Sequence, residues 1–193
     1  MIRSGTMMRL FIALEPSVEL REGLAVLQDR LRAAGVGGRY LEPSNLHMTL
    51  AFIGMWPEEI TALLPPVQQP FPITLSHLGL FPQADVLWAG VEPSDALDSL
   101  AGRVRHILSE AGIPFDRKGF NPHITLIRKP FVPENIILSE LEVPPVTMTV
   151  RDVCLYRSDR GANGMVYTVI GRSQPGQKGC FSGRPGDAEG EKP

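Results

Sequence analysis

Apolar positions along the chain fall into two similar series, one in each half. Each series opens with a short apolar run typical of a strand, at residues 8–14 and again at residues 86–91. A segment with apolar residues three and four positions apart follows each run, which is the spacing of a helix with one buried face. The first apolar stripe is Leu20, Leu24, Leu27 and Leu31, and the second is Leu97, Leu100, Val104, Ile107 and Leu108.

The residues that would begin and end these two helices also repeat. A Glu-Pro-Ser triplet precedes each helical segment, and its serine, Ser17 or Ser94, can accept hydrogen bonds from free N–H groups at a helix start. Gly35 and Gly112 supply the left-handed residue that ends many helices. The serines are 77 positions apart, and so are the glycines, which indicates an internal duplication.

Further strands are expected after each helix. A loop and a strand-like run follow at residues 47–52 and 123–128, and residues 73–80, 147–156 and 165–170 are further candidates. Two similar sets of strands, each with a covering helix, predict an α+β protein. We expect two lobes of mostly antiparallel sheet, related by a pseudo-twofold axis, with the helices on the outer faces and a cleft between the lobes.

The duplicated pattern sets the predicted domain boundaries. It spans residues 8–172, which we interpret as a single bilobal domain with residues 1–7 as a short N-terminal extension. Residues 173–193 are rich in glycine, proline and charged residues and contain one aromatic residue, so we expect a disordered tail.

Composition and charge exclude several classes of protein. A net charge of −2 gives no broad basic field for binding along a long duplex. It does not exclude a local basic pocket for one terminal phosphate. Cys154 and Cys180 are too few and too far apart for a disulfide framework or a zinc site. The apolar run 10–14 ends at Glu15, and no segment approaches the length of a membrane span. A cytoplasmic, monomeric protein is expected.

The candidate chemistry lies in a repeated His-x-Thr-Leu motif. It occurs at His47 and again at His123, 76 positions later. Because side chains alternate along a strand, His47 shares a face with Thr49, and His123 with Thr125, while the apolar neighbours point to the core. A twofold axis between the two strands would bring two imidazoles and two hydroxyls into one cleft.

Such a set of groups fits the cleavage of a phosphodiester. A neutral imidazole can take a proton from attacking water, and a protonated one can give a proton to the departing sugar oxygen. Threonine hydroxyls can donate to the non-bridging phosphate oxygens. The scheme requires no metal and no cofactor. His77 and His106 lack the Thr-Leu sequel, and for them we expect core or surface roles.

These motifs resemble those of the 2H phosphoesterase superfamily and, within it, the RNA 2′,3′-cyclic phosphodiesterases, also called 2′-5′ RNA ligases. The resemblance covers about residues 8–172 and includes RLFIAL from Arg9, PSNLH ending at His47, FNPH ending at His123 and LYRS from Leu155. It implies hydrolysis of the 2′,3′-cyclic phosphate of an RNA end, or of a small cyclic-phosphate nucleotide, to a 2′-phosphomonoester. It also implies a reverse reaction that joins RNA ends through a 2′-5′ bond.

The resemblance implies a role for each matching residue. His47 would be the general acid, His123 the general base, and Thr49 and Thr125 the phosphate-binding hydroxyls. Because the two motifs are chemically alike, the sequence does not fix the order of acid and base. Arg128 matches an arginine that contacts substrate, but strand parity from Thr125 puts it on the opposite face, so it needs a bulge or a strand end to reach the cleft.

Three aromatic residues, Phe11, Tyr40 and Phe120, could stack on the terminal base. For Phe11, which lies in the first apolar run, core packing is the favoured role.

Three other interpretations stay open at this point. The first is another enzyme of the same superfamily, acting on a different cyclic phosphate or on a 2′-5′ linkage. The second is an RNA-end-binding module without catalysis, against which the two intact histidines argue. The third is a metallohydrolase that joins the histidines with Asp116 or Asp152. Threonine two residues after each histidine is poor ligand chemistry for that last class.

Overall fold

The computed structural model describes residues 6–162 and 164–174. These residues form nine strands and two α-helices, which confirms the α+β class. No helix among them is long and apolar enough to cross a membrane. The elements are β1 (Met8–Leu14), α1 (Val18–Ala33), β2 (Gly37–Tyr40), β3 (Met48–Trp56), β4 (Phe71–Phe81), β5 (Val86–Val91), α2 (Asp95–Glu110), β6 (His123–Phe131), β7 (Thr147–Val150), β8 (Cys154–Gly161) and β9 (Gly164–Arg172).

The order of the strands repeats outward from the middle of the sheet. The path runs β7-β4-β5-β6-β3-β1-β8-β9, with β2 also paired to β6, and the paired strands are antiparallel. The two strands that carry the histidine motifs, β3 and β6, are neighbours at the centre, and β1 and β5 flank them. The order therefore agrees with the duplication, while the division into two lobes stays a prediction.

The two halves of the chain exchange strands across this centre. β4 follows β3 in sequence but pairs with β5 of the second half, and β8 follows the second half but pairs with β1. Each side of the sheet is thus completed by a strand from the other half of the chain, which interlocks the two repeats.

The two faces of the sheet have different partners. Alternate residues of β1, Leu10, Ile12 and Leu14, belong to the main core together with the apolar stripes of both helices. The exception is Ile107 of the second stripe, which is only half-buried. The intervening residues of β1 face the other way. They lie in a small second cluster of Phe11, Ala13, Cys154 and Tyr156. The helices therefore cover one face of the sheet, and the opposite face is left for the candidate site.

Both helices begin and end as the sequence predicts. Ser17 and Ser94 each accept a hydrogen bond from the backbone N–H three residues later, at 3.3 Å in both cases. Gly35 and Gly112, directly after the C-cap residues, have φ of +81° and +67°. Each repeat has one of these helices, and each helix is 16 residues long.

The strand predictions need two corrections. The segment predicted as one strand, 147–156, forms two, because residues 151–153 join no ladder. These residues connect β7, which pairs with β4, to β8, which pairs with β1. β2 was not predicted. Its sequence, Gly-Gly-Arg-Tyr, has no apolar alternation, and its strand conformation comes from pairing with β6.

The predicted tail begins inside the folded part of the chain. Ser173 is buried, its N–H donates to the Val153 carbonyl at 2.8 Å, and its hydroxyl accepts from the Val153 N–H at 3.0 Å. Residues 1–5 and 175–193 lie outside the described residues. The N-terminal extension and the remainder of the disordered tail, with Cys180, therefore stay predictions.

Candidate active site

The two histidine motifs meet at the centre of the sheet. His47 lies directly before β3 and His123 is the first residue of β6. These strands pair antiparallel with Met48 opposite Ile124, the residues that follow the two histidines. Because the pairing is antiparallel, His47 lies toward Thr125 of the other strand, and His123 toward Thr49.

Both motifs line a single cavity of about 740 Å³. This volume is typical of a site for a small organic ligand. The lining residues are His47, Thr49, Leu50, Ala51, Phe52, Phe81, Gln83, Ala84, Val86, Arg105, Asp116, Lys118, Gly119, Phe120, Asn121, His123, Thr125 and Arg128.

The same hydrogen bond orients both imidazoles. Nδ1 of His47 lies 2.7 Å from the carbonyl oxygen of Asn45, and Nδ1 of His123 lies 2.7 Å from that of Asn121. A carbonyl oxygen can only accept, so Nδ1 of each neutral ring carries the hydrogen. Nε2 is left with a lone pair, and it is the nitrogen of each ring that can take up or release a proton.

Aromatic rings surround His47. The centroid of its ring is 4.7 Å from that of Phe11, 5.0 Å from that of Tyr167 and 5.8 Å from that of Tyr156. Phe11 is 2% exposed and belongs to the small second cluster. It therefore packs behind His47, in agreement with the favoured core role, and does not line the cavity.

His123 has a related but more open setting. Its ring centroid is 4.9 Å from that of Phe81 and 5.9 Å from that of Trp88. Trp88 stands 77 positions after Phe11 in the sequence, so each histidine packs against an aromatic residue from the equivalent position of the neighbouring strand. The duplication thus extends to the supports of the two imidazoles.

Burial changes the acidity of both rings. It lowers the pKa of His47 to about 4, against the raising effect of the hydrogen bond to Asn45, and the positive charges of Arg128 and His123 lower it further. Burial also lowers the pKa of His123, again opposed by a backbone hydrogen bond. At neutral pH the protein alone therefore holds both rings mainly in the neutral form, and an anionic ligand would favour protonation.

A β-bulge brings Arg128 into the cavity. Thr125 pairs with Trp88 and Arg128 pairs with Val86, which is two residues from Trp88, whereas Arg128 is three residues from Thr125. The additional residue, Leu126, has no partner on β5. Thr125 and Arg128 consequently share a face. The bulge that Arg128 needs to reach the cavity is therefore present.

The same bulge occurs in the first half, with a different outcome. Thr49 pairs with Ala13 and the following residue, Leu50, has no partner on β1. Phe52, at the position equivalent to Arg128, therefore faces the cavity, and the guanidinium of Arg9 lies 4.7 Å from its ring centroid. The symmetry of the site is broken here, because the bulge in the second half presents a cation and the bulge in the first half an aromatic ring.

Of the two remaining predicted site residues, Phe120 and Tyr40, only one lines the cavity. Phe120 lines the cavity. Tyr40 does not: its hydroxyl donates to the Val36 carbonyl at 2.7 Å, and the guanidinium of Arg32 lies 4.1 Å from its ring centroid. His77 and His106, expected to be structural or surface residues, are exposed and do not line the cavity.

Arg105 and Lys118 also line the cavity, and the sequence did not single them out. The Arg105 guanidinium donates to the carbonyls of Leu50 at 3.1 Å and Lys118 at 2.8 Å. Gln28, 77 positions earlier, donates in the same manner to the carbonyl of Leu126 at 3.2 Å. The repeat itself was therefore a usable signal, because each helix places a polar side chain in its buried stripe at the same position.

The carboxylates near the site do not assemble a metal centre. The described residues contain no group of three or more histidine, cysteine, aspartate or glutamate side chains placed to hold a metal ion. Asp116 lines the cavity, but its carboxylate accepts from the Lys118 N–H at 3.1 Å. Asp152 pairs with Arg172 at 3.5 Å and does not line the cavity.

Comparison with known proteins gives a consistent result. The model of the 2′-5′ RNA ligase superfamily matches residues 11–162. Among curated relatives, the RNA 2′,3′-cyclic phosphodiesterase of Thermotoga maritima is 30% identical over 84% of this chain and 93% of its own length. The Escherichia coli protein of the same name is 32% identical over 85% of this chain and 94% of its own length.

The chain also resembles solved structures over most of its length. Apo LigT of Escherichia coli superposes with a TM-score of 0.71 at 28% identity, covering 87% of this chain and 99% of LigT. TT0787 of Thermus thermophilus superposes with a TM-score of 0.70 at 32% identity, covering 89% of this chain and all of TT0787 (100%). LigT has also been crystallised with 3′-AMP and with phosphate.

Proposed function

The chain belongs to the 2′-5′ RNA ligase superfamily, and we propose that it hydrolyses the terminal 2′,3′-cyclic phosphate of RNA to a 2′-phosphomonoester. One observation carries the proposal: two His-x-Thr motifs, one from each half of the chain, line the same cavity. The curated relatives named RNA 2′,3′-cyclic phosphodiesterase support the same reaction.

The reaction needs one proton acceptor and one proton donor. In the proposed mechanism, Nε2 of His123 accepts a proton from a water molecule as the water oxygen attacks the phosphorus atom. The bond between phosphorus and the 3′-oxygen breaks, and protonated His47 donates its Nε2 proton to that oxygen. The product carries a 2′-phosphomonoester and a free 3′-hydroxyl. The assignment of acid and base follows the family resemblance.

The remaining cavity residues would stabilise the phosphate. Thr49 and Thr125 would donate their hydroxyl hydrogens to the non-bridging oxygens, where charge accumulates in the transition state. Arg128 would balance the charge of the phosphate. The negative charge of the phosphate would also raise the pKa of His47. Its pKa of about 4 in the protein alone would otherwise leave the acid deprotonated.

The reverse reaction would join the cyclic phosphate to a 5′-hydroxyl through a 2′-5′ bond. Water is far more abundant than RNA ends, so hydrolysis should dominate over ligation. Small cyclic-phosphate nucleotides fit the same scheme as substrates. The cytoplasmic location and the monomeric state expected from the sequence stay predictions, and sedimentation of the purified protein would test the second.

Product analysis tests the proposed function. A short RNA that ends in a 2′,3′-cyclic phosphate is incubated with the protein in excess EDTA, and the products are separated against 2′-phosphate and 3′-phosphate standards. We expect complete conversion to the 2′-phosphate. Tight binding without turnover would instead indicate an RNA-end-binding module, and activity that requires an added divalent metal would indicate a metallohydrolase.

A further inference from the structure

A second cavity, of about 700 Å³, adjoins the cavity that His47 and His123 line, which we call the histidine cavity. Five arginines line it: Arg9, Arg39, Arg128, Arg157 and Arg160. We call it the arginine cavity. Arg128 lines both cavities, so this residue lies at the boundary between them.

A second residue links the two cavities. Tyr167 lines the arginine cavity, and its ring centroid lies 5.0 Å from that of His47. A ligand that extends from the histidine cavity past Arg128 would therefore enter the arginine cavity beside an aromatic ring. Aromatic rings of this kind offer a stacking surface to any base.

Two of the arginines face each other across a pair of strands. Arg39 of β2 is the register partner of Arg128 of β6. Like charges directly opposite each other destabilise a sheet. Neither side chain forms an ion pair with any described residue. An anion between or beside them would remove the repulsion.

The protein's own carboxylates neutralise little of this charge. Asp159, the one carboxylate among the described residues that line the arginine cavity, is held by Arg157 at 2.7 Å. Arg9 donates to the neutral hydroxyl of Ser158 at 3.0 Å. Arg160 is exposed and, within the described part of the chain, has no acidic partner. Positive charge is thus concentrated at one place in a protein whose net charge is −2.

We propose that the arginine cavity binds the phosphodiester backbone of the RNA strand on the 5′ side of the cyclic end. The inference rests on the proposed function, because the histidine cavity then holds the terminal nucleotide and the strand must leave it past Arg128. Guanidinium groups suit this ligand, since they present several donors in a plane to phosphate oxygens. Backbone contacts of this kind position a strand without reading its sequence. The protein would accordingly prefer RNA oligonucleotides to cyclic mononucleotides.

A comparison of two substrates tests the inference. One is a 2′,3′-cyclic mononucleotide, and the other is a hexanucleotide RNA that ends in the same cyclic nucleotide. For the wild type we expect kcat/KM to be about tenfold or more higher for the RNA, because charge-assisted bonds to backbone phosphates are available only to the longer substrate. In the double variant Arg39→Gln, Arg160→Gln that ratio should approach one.

The matched control is Arg103→Gln on α2, an exposed arginine that lines neither cavity. Its ratio should equal that of the wild type. Salt provides an independent readout, because the ratio should fall with rising sodium chloride in the wild type and less steeply in the double variant. On logarithmic axes the two slopes should differ by about 0.7 for each backbone phosphate that the variant no longer neutralises.

Failure of this inference can be told apart from failure of the proposed function. If the wild type hydrolyses neither substrate, the proposed function is wrong. If it hydrolyses both with the same kcat/KM, the arginine cavity does not bind the strand. The inference is equally overturned if the double variant keeps the wild-type ratio or if Arg103→Gln lowers the ratio as much as the double variant does.

Discussion

His47 and His123 have the same motif and the same backbone hydrogen bond, yet their surroundings differ. His47 is buried among three aromatic rings, and this burial, together with the positive charge of Arg128, lowers its pKa to about 4. An acid with a low pKa releases its proton readily but seldom holds one. The bound phosphate anion therefore has two roles in our proposal. It is the substrate, and its negative charge favours the protonated form of the general acid.

Removal of either imidazole should nearly abolish turnover. We expect His47→Ala and His123→Ala each to lower kcat on a cyclic-phosphate RNA by about a hundredfold or more, the usual contribution of a general acid or base. His77→Ala and His106→Ala are the matched controls, because both side chains are exposed and outside the cavity. Equal losses in all four variants would show that the histidines have no specific role.

The two threonines should matter less and through one atom. Thr49→Val and Thr125→Val keep the shape of the side chain but remove the donor to the phosphate, and we expect kcat to fall by about ten- to a hundredfold. Thr49→Ser and Thr125→Ser keep the donor and should retain most of the activity. If the serine variants are as slow as the valine variants, the methyl group and not the hydroxyl is what matters.

Burial of His47 should also make stability depend on pH. Its pKa is lowered in the folded protein, from 6.5 to about 4, so the unfolded chain binds the proton more tightly. The stability linked to His47 is therefore complete above about pH 6.5 and is lost as the pH falls toward 4, by up to about 3 kcal/mol. Denaturant unfolding of wild type and His47→Gln would measure it. The variant should lose less stability over that range, and parallel curves would contradict the low pKa.

At the scale of elements, the helices were readable from the sequence because their signals are local. The apolar stripes, the capping serines Ser17 and Ser94, and the terminal glycines all lie within a few residues of the turns they specify. The pairing of β4 with β5, and of β8 with β1, was not readable, because it depends on contacts between distant segments. The bulge was anticipated only as a requirement for Arg128.

A side chain of each helix donates a hydrogen bond to the carbonyl of a bulge residue. Gln28 of α1 is buried, and its amide donates to the carbonyls of Leu41 at 2.9 Å and Leu126 at 3.2 Å. Leu126 is the unpaired residue of the bulge that turns Arg128 into the cavity. A polar side chain within an apolar stripe is thus explained by the carbonyls that it satisfies.

Replacement of Gln28 should destabilise the fold. Gln28→Met preserves the length of the side chain but leaves the buried Leu41 carbonyl without its donor. The Leu126 carbonyl keeps only the Leu41 N–H, at 2.9 Å. We expect the free energy of unfolding to fall by about 1–3 kcal/mol. Gln68→Met, at an exposed position, is the control and should change stability by less than about 0.5 kcal/mol. Equal stability of Gln28→Met and wild type in denaturant unfolding would show that the amide is dispensable.

At the scale of the whole molecule, the duplication predicted that the two motifs meet, and they do so through the pairing of β3 with β6. The sequence analysis did not identify the asymmetry of the site. Phe52 and Arg128 occupy equivalent positions in the two halves, and of the five arginines that line the arginine cavity only Arg128 was predicted as a site residue. Such features depend on which side chains converge from separate elements, and no repeat or motif encodes that.

The dependence of kcat/KM on pH, measured for wild type and both histidine variants, tests most directly whether the two imidazoles act on one phosphate. Because both pKa values lie below 6.5 in the protein alone, the wild type should give a bell with both inflections below that pH. His47→Ala should lose the alkaline limb, where the acid deprotonates, and His123→Ala the acidic limb, where the base is protonated. A wild-type profile that is flat from about pH 5 to about pH 8, or variants that both keep the bell, would contradict the paired roles.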